Sequence, residues 1–287
     1  MPYADVNDIR IWYEIRGTGS APPLVMTHGF AGPSRNWWPE LEPFAAKRPV
    51  LAYDVRGHDR TTVPPEVDAY SMPQFASDLA GLLKSAGIER AHIGGVSMGG
   101  MVTAQFAVDY PEMCSSVMIC DSTCGNGVDT GPGGDWERRM LEGFGMLTHM
   151  ASKYGLLEMT TRQEEWKQKN DPHYDVSPYN FEEDDLARIK LMTVEGYLGA
   201  AHAIANRPDL TERIRSITAP TLILIGEWDD FLPSAQRDHS LIPDSRLVVR
   251  ERCGHGSRWR LDTFQSVIED FIGDVGADRP IAGKQRV

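Results

Sequence analysis

The segment from Gly95 to Gly99, Gly-Val-Ser-Met-Gly, constrains the fold more than any other part of the chain. The apolar run that begins at Ala91 predicts a buried strand before it, and residues 101–108 predict a helix after it. A serine on a sharp turn between a strand and a helix, with glycine two residues before and after it, is typical of a nucleophile elbow. Side chains at the two glycines would collide with the neighbouring strand and helix. The sequence therefore predicts that Ser97 projects its hydroxyl from the edge of a sheet.

Strand and helix patterns alternate along most of the chain. Further strands are predicted at 8–17, 23–28, 50–54, 116–120, 221–226 and 246–249, and helices at 34–46, 71–85, 234–241 and 261–272. Such alternation predicts the α/β fold class, with a mostly parallel central sheet and helices on both faces. Ligands of such sheets bind at the carboxyl ends of the strands.

The segment from Cys124 to Arg215 interrupts this alternation. It opens with a glycine-rich stretch, Gly125–Gly134, which predicts a loop, and helical patterns follow at 136–150, 164–169 and 182–205. We expect this insert to lie as a helical cap, inserted after the strand that ends at Asp121, over the carboxyl ends of the strands. The predicted organisation is a core of residues 1–123 and 216–273, a cap of residues 124–215 and a disordered tail of residues 274–287.

Charge and composition exclude several classes of partner. The net charge of −12 argues against nucleic acid and anionic membranes. Neither a signal peptide nor an apolar run of about 18 residues is present, so a cytoplasmic location is expected. The cysteines lack the paired spacing of a zinc site, which predicts free and mostly buried thiols at Cys114, Cys120, Cys124 and Cys253. We expect a small-molecule substrate and neither a metal nor another cofactor, and a homodimer is one alternative for the oligomeric state.

Four motifs carry a resemblance to a known family. They are His28–Phe30, Asp54–His58, the elbow at Gly95–Gly99, and the late pair Gly226–Asp229 with Cys253–Gly256. In these motifs, and in the chain order serine, aspartate, histidine, the chain resembles the α/β-hydrolase fold superfamily from about residue 3 to residue 273. Its nearest likeness is to esterases and lactonases and to the C–C hydrolases of meta-cleavage pathways. The resemblance implies a serine hydrolase with a cap.

The catalytic residues expected from this chemistry are Ser97, His255 and Asp229. Ser97 is a poor nucleophile at neutral pH and needs a base, and a histidine with an ordinary pKa of about 6.5 suits that role. His255 lies between glycines in a loop after a strand, and a carboxylate must fix its tautomer. Asp229 follows a strand and is the favoured acid, since its neighbour Asp230 would point the other way. Asp121, which ends the strand after the elbow, stays open as the alternative acid.

Two further groups complete the predicted site. The backbone N–H groups of Phe30 and Met98 are expected to form the oxyanion hole. Apolar side chains that follow the first motif or lie in the cap are predicted to line the substrate pocket, with plain core packing as the alternative. These side chains are Trp37, Trp38, Met140 and Met146.

The favoured function is hydrolysis of a carboxylic ester or lactone of a small, fairly apolar molecule, through an acyl-enzyme on Ser97. The run Cys253–Trp259 is similar to that of the C–C hydrolases, so cleavage of aromatic ring-cleavage products is the alternative. A cofactor-free dioxygenase, a lyase and a ligand receptor on the same fold also remain open. Epoxide hydrolase and haloalkane dehalogenase chemistry is excluded, because both need a carboxylate nucleophile where this chain has serine.

Overall fold

The computed structural model describes residues 3–126 and 134–287. Most of the loop predicted at Gly125–Gly134 lies outside the described residues. One sheet contains all the described strands in the order β1-β2-β4-β3-β5-β6-β7-β8-β9. The strands are β1 (Tyr3–Val6), β2 (Ile9–Arg16), β3 (Leu24–Thr27), β4 (Val50–Tyr53), β5 (Ala91–Val96), β6 (Cys114–Cys120), β7 (Thr221–Gly226), β8 (Ser245–Arg250) and β9 (Gly283–Arg286).

The sheet is mostly parallel, as predicted. Among the described strands, the pairs of β1 with β2 and of β2 with β4 are antiparallel and the other pairs are parallel. Strands β3, β4, β5, β7 and β8 are buried along their whole length. Helices on both faces cover such strands, which explains their unbroken apolar runs in the sequence.

Two helical layers sandwich this sheet. The helices are α1 (Trp38–Ala45), α2 (Met72–Ser85), α3 (Met98–Asp109), α4 (Gly134–Tyr154), α5 (Leu156–Asn170), α6 (Ala187–Ile189), α7 (Val194–Ala205), α8 (Leu232–Leu241) and α9 (Leu261–Gly276). Helices α1 and α9 share one apolar cluster with the sheet, and α2, α3 and α8 share the cluster on the other face. Helix α2 begins as predicted, because the Ser71 hydroxyl accepts a hydrogen bond from the Gln74 N–H at 3.2 Å.

Helices α4 to α7 all lie between β6 and β7 in the chain, where the sequence predicts the cap. The stretch predicted as one helix at 182–205 is divided. A π-helix at Phe181–Leu186 runs into α6, and α7 starts after Thr193, whose hydroxyl accepts a hydrogen bond from the Gly196 N–H at 3.0 Å. The bounds of core and cap as separate domains stay a prediction.

The chain after residue 273 differs from the predicted disordered tail. Helix α9 continues to Gly276, and β9 then pairs in parallel with β8. The residues of β9 are all exposed and polar, so no apolar alternation marks them in the sequence. The hydrogen bonds to β8 hold this edge strand, and such bonds involve backbone rather than side chains.

Two other sequence expectations have a structural outcome. All four cysteines are free and buried, as predicted. Within the described residues, no helix is both long enough and apolar enough to cross a membrane.

The tight contact at Gly95 predicts a large stability effect. A Cβ at position 95 would lie 2.2 Å from the Gly99 carbonyl oxygen, which is backbone and cannot rotate away. We expect Gly95→Ala to lower the free energy of unfolding by about 3 kcal/mol. Gly143→Ala is the matched control, because a Cβ there meets open space on α4, and it should raise stability by about 0.5–1 kcal/mol. Urea unfolding of both variants tests this, and equal stabilities would contradict the clash.

Candidate active site

Ser97 lies on a strained turn between β5 and α3. Its φ of 58° and ψ of −120° fall in a region that side chains disfavour. The flanking glycines allow the turn: a Cβ at Gly95 would strike Gly99, and a Cβ at Gly99 would lie 2.1 Å from the Thr27 carbonyl oxygen. The backbone of Ser97 is tied to β6, since its N–H donates to the Cys120 carbonyl at 3.0 Å. This is the strand–turn–helix geometry that the sequence predicts.

A continuous chain of hydrogen bonds joins Ser97, His255 and Asp229. The His255 Nε2 atom lies 2.9 Å from the Ser97 Oγ, and its Nδ1 atom lies 2.8 Å from the Asp229 Oδ2. A carboxylate only accepts hydrogen bonds, so in the neutral form of the ring Nδ1 carries the proton and Nε2 is free to accept the serine hydroxyl. The arrangement can accordingly transfer the Ser97 proton to His255.

The surroundings of Asp229 and His255 differ. Asp229 is 5% exposed, and its second oxygen accepts a hydrogen bond from the Phe231 N–H at 2.9 Å. The His255 side chain is 45% exposed. Desolvation lowers the pKa of His255, but the charge of Asp229 and its hydrogen bond outweigh this effect and raise the pKa to about 9. Asp229 therefore both orients the ring and favours the imidazolium form.

Neither alternative acid is bonded to His255. Asp121 is fully buried at the end of β6, and its carboxylate accepts a hydrogen bond from the Arg250 guanidinium at 2.7 Å. Asp230 is exposed. The geometry thus favours Asp229 as the acid partner of the histidine.

The loop after β3 passes directly beside the serine. A Cβ at Gly29 would lie 3.4 Å from the Ser97 Cβ, so the backbone that leads into Phe30 borders the nucleophile. His28 holds this loop: its Nε2 accepts the Val55 N–H at 3.0 Å, so its Nδ1 donates to the Gly29 carbonyl at 2.8 Å. Burial lowers the pKa of His28 to about 4, which keeps the ring neutral. Its role is consequently to order the loop.

Met98 is the second residue whose N–H group is expected in the oxyanion hole. It is the first residue of α3, and the first N–H groups of a helix have no partner within the helix. The positive end of the helix dipole adds to the attraction for a developing oxyanion. The Met98 side chain is fully buried in the core and takes no part in the site surface.

Aromatic side chains of the cap cover Phe30. Its ring centroid lies 5.2 Å from that of Phe144 on α4 and 4.7 Å from that of Tyr197 on α7. Met140, also on α4, is half-buried and packs against the core cluster to which Phe30 and Phe144 also belong. Burial raises the pKa of Tyr197, and the charge of Arg188 on α6, which forms an ion pair with Asp185 at 2.8 Å, opposes that rise. The cap side of the site is therefore mainly apolar.

Three of the predicted pocket residues pack against the core or lie at the surface. Trp38 packs in the core cluster of α1 and α9, where its indole N–H donates to Glu14 at 2.9 Å and Arg16 stacks on its ring. Trp37 packs partly against the same cluster. Met146 is 61% exposed on α4. Their assignment to the substrate pocket stays a prediction.

The sequence analysis missed residues that support or surround the site. Phe144 and Tyr197 contact Phe30 but lie in cap helices whose packing on the core the sequence does not specify. Arg250 could have been identified from the sequence, because it is a charged residue at the end of a predicted buried strand. A buried charge requires a partner, and here the partner is Asp121. Within the described residues, no group of three His, Cys, Asp or Glu side chains is placed to hold a metal ion.

Comparison with known proteins agrees with this geometry. The family described as alpha/beta hydrolase fold matches residues 22–259. The 2-hydroxy-6-oxo-6-phenylhexa-2,4-dienoate hydrolase of Comamonas testosteroni is 28% identical and covers 93% of both chains. The 3-oxoadipate enol-lactonase 1 of Acinetobacter baylyi is 25% identical over 75% of this chain and 74% of its own.

A solved structure extends the comparison to the fold. The thermophilic esterase from Thermogutta terrifontis superposes with a TM-score of 0.76 at 25% identity, covering 93% of this chain and 94% of its own. The family match spans most of the chain, including the elbow and the His255 loop. The chain therefore belongs to the alpha/beta hydrolase fold family of hydrolytic enzymes.

Proposed function

We propose that the protein hydrolyses a carboxylic ester or lactone of a small, fairly apolar molecule through an acyl-enzyme on Ser97. One observation carries this proposal: the unbroken hydrogen-bond chain from Asp229 through His255 to the Ser97 hydroxyl, with bonds of 2.8 and 2.9 Å. The chemistry fits these atoms, because a serine hydroxyl becomes a nucleophile only when a base accepts its proton.

The proposed reaction has two stages. Ser97 Oγ attacks the carbonyl carbon while His255 Nε2 takes the hydroxyl proton, and the Met98 and Phe30 N–H groups stabilise the oxyanion. His255 then returns the proton to the leaving alkoxide, which departs as an alcohol. In the second stage His255 takes a proton from water, the hydroxide attacks the acyl-enzyme, and the acid leaves as Ser97 recovers its proton.

The aromatic cluster around Phe30 supports an apolar acyl or alcohol portion. Phe144 and Tyr197 extend that surface into the cap, and apolar walls of this kind favour apolar ligand groups. A panel of p-nitrophenyl esters of increasing chain length, with unsubstituted lactones beside it, tests the assignment. Turnover of at least one of them by the wild-type protein is expected, and complete inactivity towards the panel would contradict it.

A second function has its own support. The 2-hydroxy-6-oxo-6-phenylhexa-2,4-dienoate hydrolase from Comamonas testosteroni is similar over 93% of this chain, and the phenyl group in the name of its substrate suits the aromatic side chains around Phe30. Such an enzyme cleaves a carbon–carbon bond of a vinylogous diketone. Loss of the yellow absorbance of a ring-cleavage dienoate, measured beside the ester panel, decides between the two. Faster turnover of the dienoate than of any ester would favour this alternative.

The raised pKa of His255 predicts the pH dependence of the reaction. Only neutral His255 can accept the Ser97 proton, so activity is lost as pH falls below its pKa. Because that pKa is raised to about 9, kcat/KM for an activated ester should still rise above neutral pH. The measurement is a pH series corrected with Ser97→Ala blanks for spontaneous hydrolysis. A plateau already reached below about pH 6.5, the ordinary histidine value, would contradict the raised pKa.

A further inference from the structure

A fully buried ion pair lies beside the candidate triad without belonging to it. Asp121 directly follows β6 and has a φ of 45°, and Arg250 ends β8; each side chain is 0% exposed. The Arg250 Nη2 atom lies 2.7 Å from the Asp121 Oδ2 atom. A buried ion pair is not in itself a strong source of stability, because both charges must be removed from water. Its position at the carboxyl ends of two strands therefore needs another explanation.

The pair binds the backbone of the loop that carries His255. Asp121 Oδ2 accepts the Gly256 N–H at 3.2 Å, one residue after the histidine. Arg250 donates to the Gly256 carbonyl at 3.2 Å and to the Trp259 carbonyl at 2.6 Å. The loop between β8 and α9 has no strand or helix of its own, so these bonds fix backbone on the C-terminal side of the histidine.

The other carboxylate oxygen of Asp121 links the same pair to the strand that precedes Asp229. Its Oδ1 atom accepts the Gly226 N–H at 3.0 Å, and Gly226 ends β7, three residues before Asp229. The ends of β6, β7 and β8 and the His255 loop are thereby joined through two side chains. Movement of either partner would change the distance between the His255 ring and Ser97.

The pair also brings two opposite charges close to the imidazole. Asp121 raises the pKa of His255 and Arg250 lowers it, so the two effects oppose each other while the pair is intact. The other titratable and charged groups around the His255 ring and its loop are Asp229, Asp230, Arg258 and Tyr179. Tyr179 belongs to the cap segment, and its hydroxyl packs on Gly256. Removing one member of the pair would leave the charge of the other without compensation.

We propose that Asp121 and Arg250 form a positioning pair, which holds the His255 loop at Ser97 and keeps the charge beside the ring balanced. The inference rests on the proposed function, because positioning matters only if His255 acts on Ser97. It also explains why Asp121 does not serve as the triad acid. Its oxygens are already occupied by Arg250 and by the backbone N–H groups of Gly226 at the end of β7 and of Gly256 in the His255 loop.

Asp121→Asn tests the proposal with two readouts. The first is the ¹⁵N NMR titration of the His255 ring, assigned by its loss in His255→Gln, which needs no enzymatic activity. The second is the rate of Ser97 labelling by a fluorophosphonate as a function of pH. With Arg250 uncompensated, we expect the His255 midpoint to fall by about one pH unit. The limiting labelling rate should fall about tenfold as the loop loosens.

Two further variants separate charge from positioning. In Asp121→Asn/Arg250→Met both charges are gone, so the midpoint should return towards the wild-type value while labelling stays slow. Asp78→Asn is the matched control, because Asp78 and Arg56 form another buried pair, with side chains 3% and 1% exposed, outside the triad. It should lower the melting temperature and leave the His255 midpoint unchanged.

The outcomes are distinct. A cooperatively folded Asp121→Asn protein with the wild-type midpoint and labelling rate overturns the proposal. If that variant does not fold, Arg250→Lys is measured instead. Lysine keeps the positive charge but cannot reach the carbonyls of both Gly256 and Trp259. Labelling of Ser97 should therefore slow about tenfold, with the titration midpoint of His255 unchanged. An unchanged rate would overturn the positioning role. If wild-type protein neither labels nor hydrolyses any ester, the proposed function fails, whereas the NMR midpoints still report on the pair.

Discussion

Ser97→Ala is expected to lower kcat/KM for an activated ester by about 10⁴-fold or more. The loss is this large because, in the proposed mechanism, the hydroxyl at the end of the hydrogen-bond chain forms the covalent bond to the carbonyl carbon. His255 and the two N–H groups would remain and supply only residual catalysis. The fold should survive, since alanine removes one oxygen that the His255 ring, partly open to water, bonds at 2.9 Å.

Initial rates with the best p-nitrophenyl ester of the panel measure this effect. Ser266→Ala is the control for the substitution itself, because Ser266 lies on α9 and donates only to the Thr263 carbonyl one turn earlier. It should keep the wild-type rate. A Ser97→Ala protein that is folded and retains more than a tenth of the activity would show that another group attacks the substrate.

Asp229→Asn is expected to lower kcat by about 10⁴-fold at neutral pH. The asparagine keeps the shape of the side chain but can present its NH₂ group to His255, which stabilises the tautomer with the proton on Nε2. That tautomer cannot accept the Ser97 proton. Loss of the negative charge also lowers the pKa of His255, so the remaining activity should extend to lower pH than in the wild type.

Asp230→Asn is the matched control, since Asp230 adjoins Asp229 but is exposed, whereas His255 bonds to Asp229 at 2.8 Å. We expect it to change kcat less than about threefold, through the loss of one nearby charge screened by water. The pH profiles of both variants complete the test. If Asp229→Asn retains activity and Asp121→Asn abolishes it, the acid is Asp121 and the assignment is wrong.

The sequence was most informative where covalent geometry leaves few choices. Gly95 and Gly99 flank a serine after an apolar run, and only a glycine fits where a Cβ would lie about 2 Å from backbone oxygen, as it would at both positions. The parallel sheet followed from unbroken apolar runs, because strands covered on both faces have no polar side. The free cysteines followed from their spacing.

The choice between Asp229 and Asp121 could not be made from the sequence. Both residues follow buried strands, and both reach the same edge of the sheet. What separates them is Arg250, which lies 129 residues from Asp121 in the chain and takes one of its oxygens. Local sequence patterns do not show which residues so far apart in the chain pair with each other. The charged Arg250 at the end of a buried strand did indicate that some partner was required.

The direction of the side chains at Trp37, Trp38 and Met146 could not be predicted from the sequence. A large apolar residue near a motif is equally compatible with a pocket and with a core, and the outcome depends on the helix turn that carries it. Residues 34–37 form a 3₁₀ turn that leads into α1, and this turn directs Trp38 onto the sheet face shared with α9. In the same way, β9 was missed because its pairing with β8 involves no apolar side chain.

The most direct test of the central claim is the site of covalent modification by a fluorophosphonate, located by peptide mapping with mass spectrometry. The account predicts one adduct per chain on Ser97, no adduct in Ser97→Ala and slow labelling in His255→Gln, with ester turnover lost in proportion to labelling. A wild-type protein that hydrolyses esters while the adduct lies on another residue, or while Ser97 stays unmodified, would contradict it.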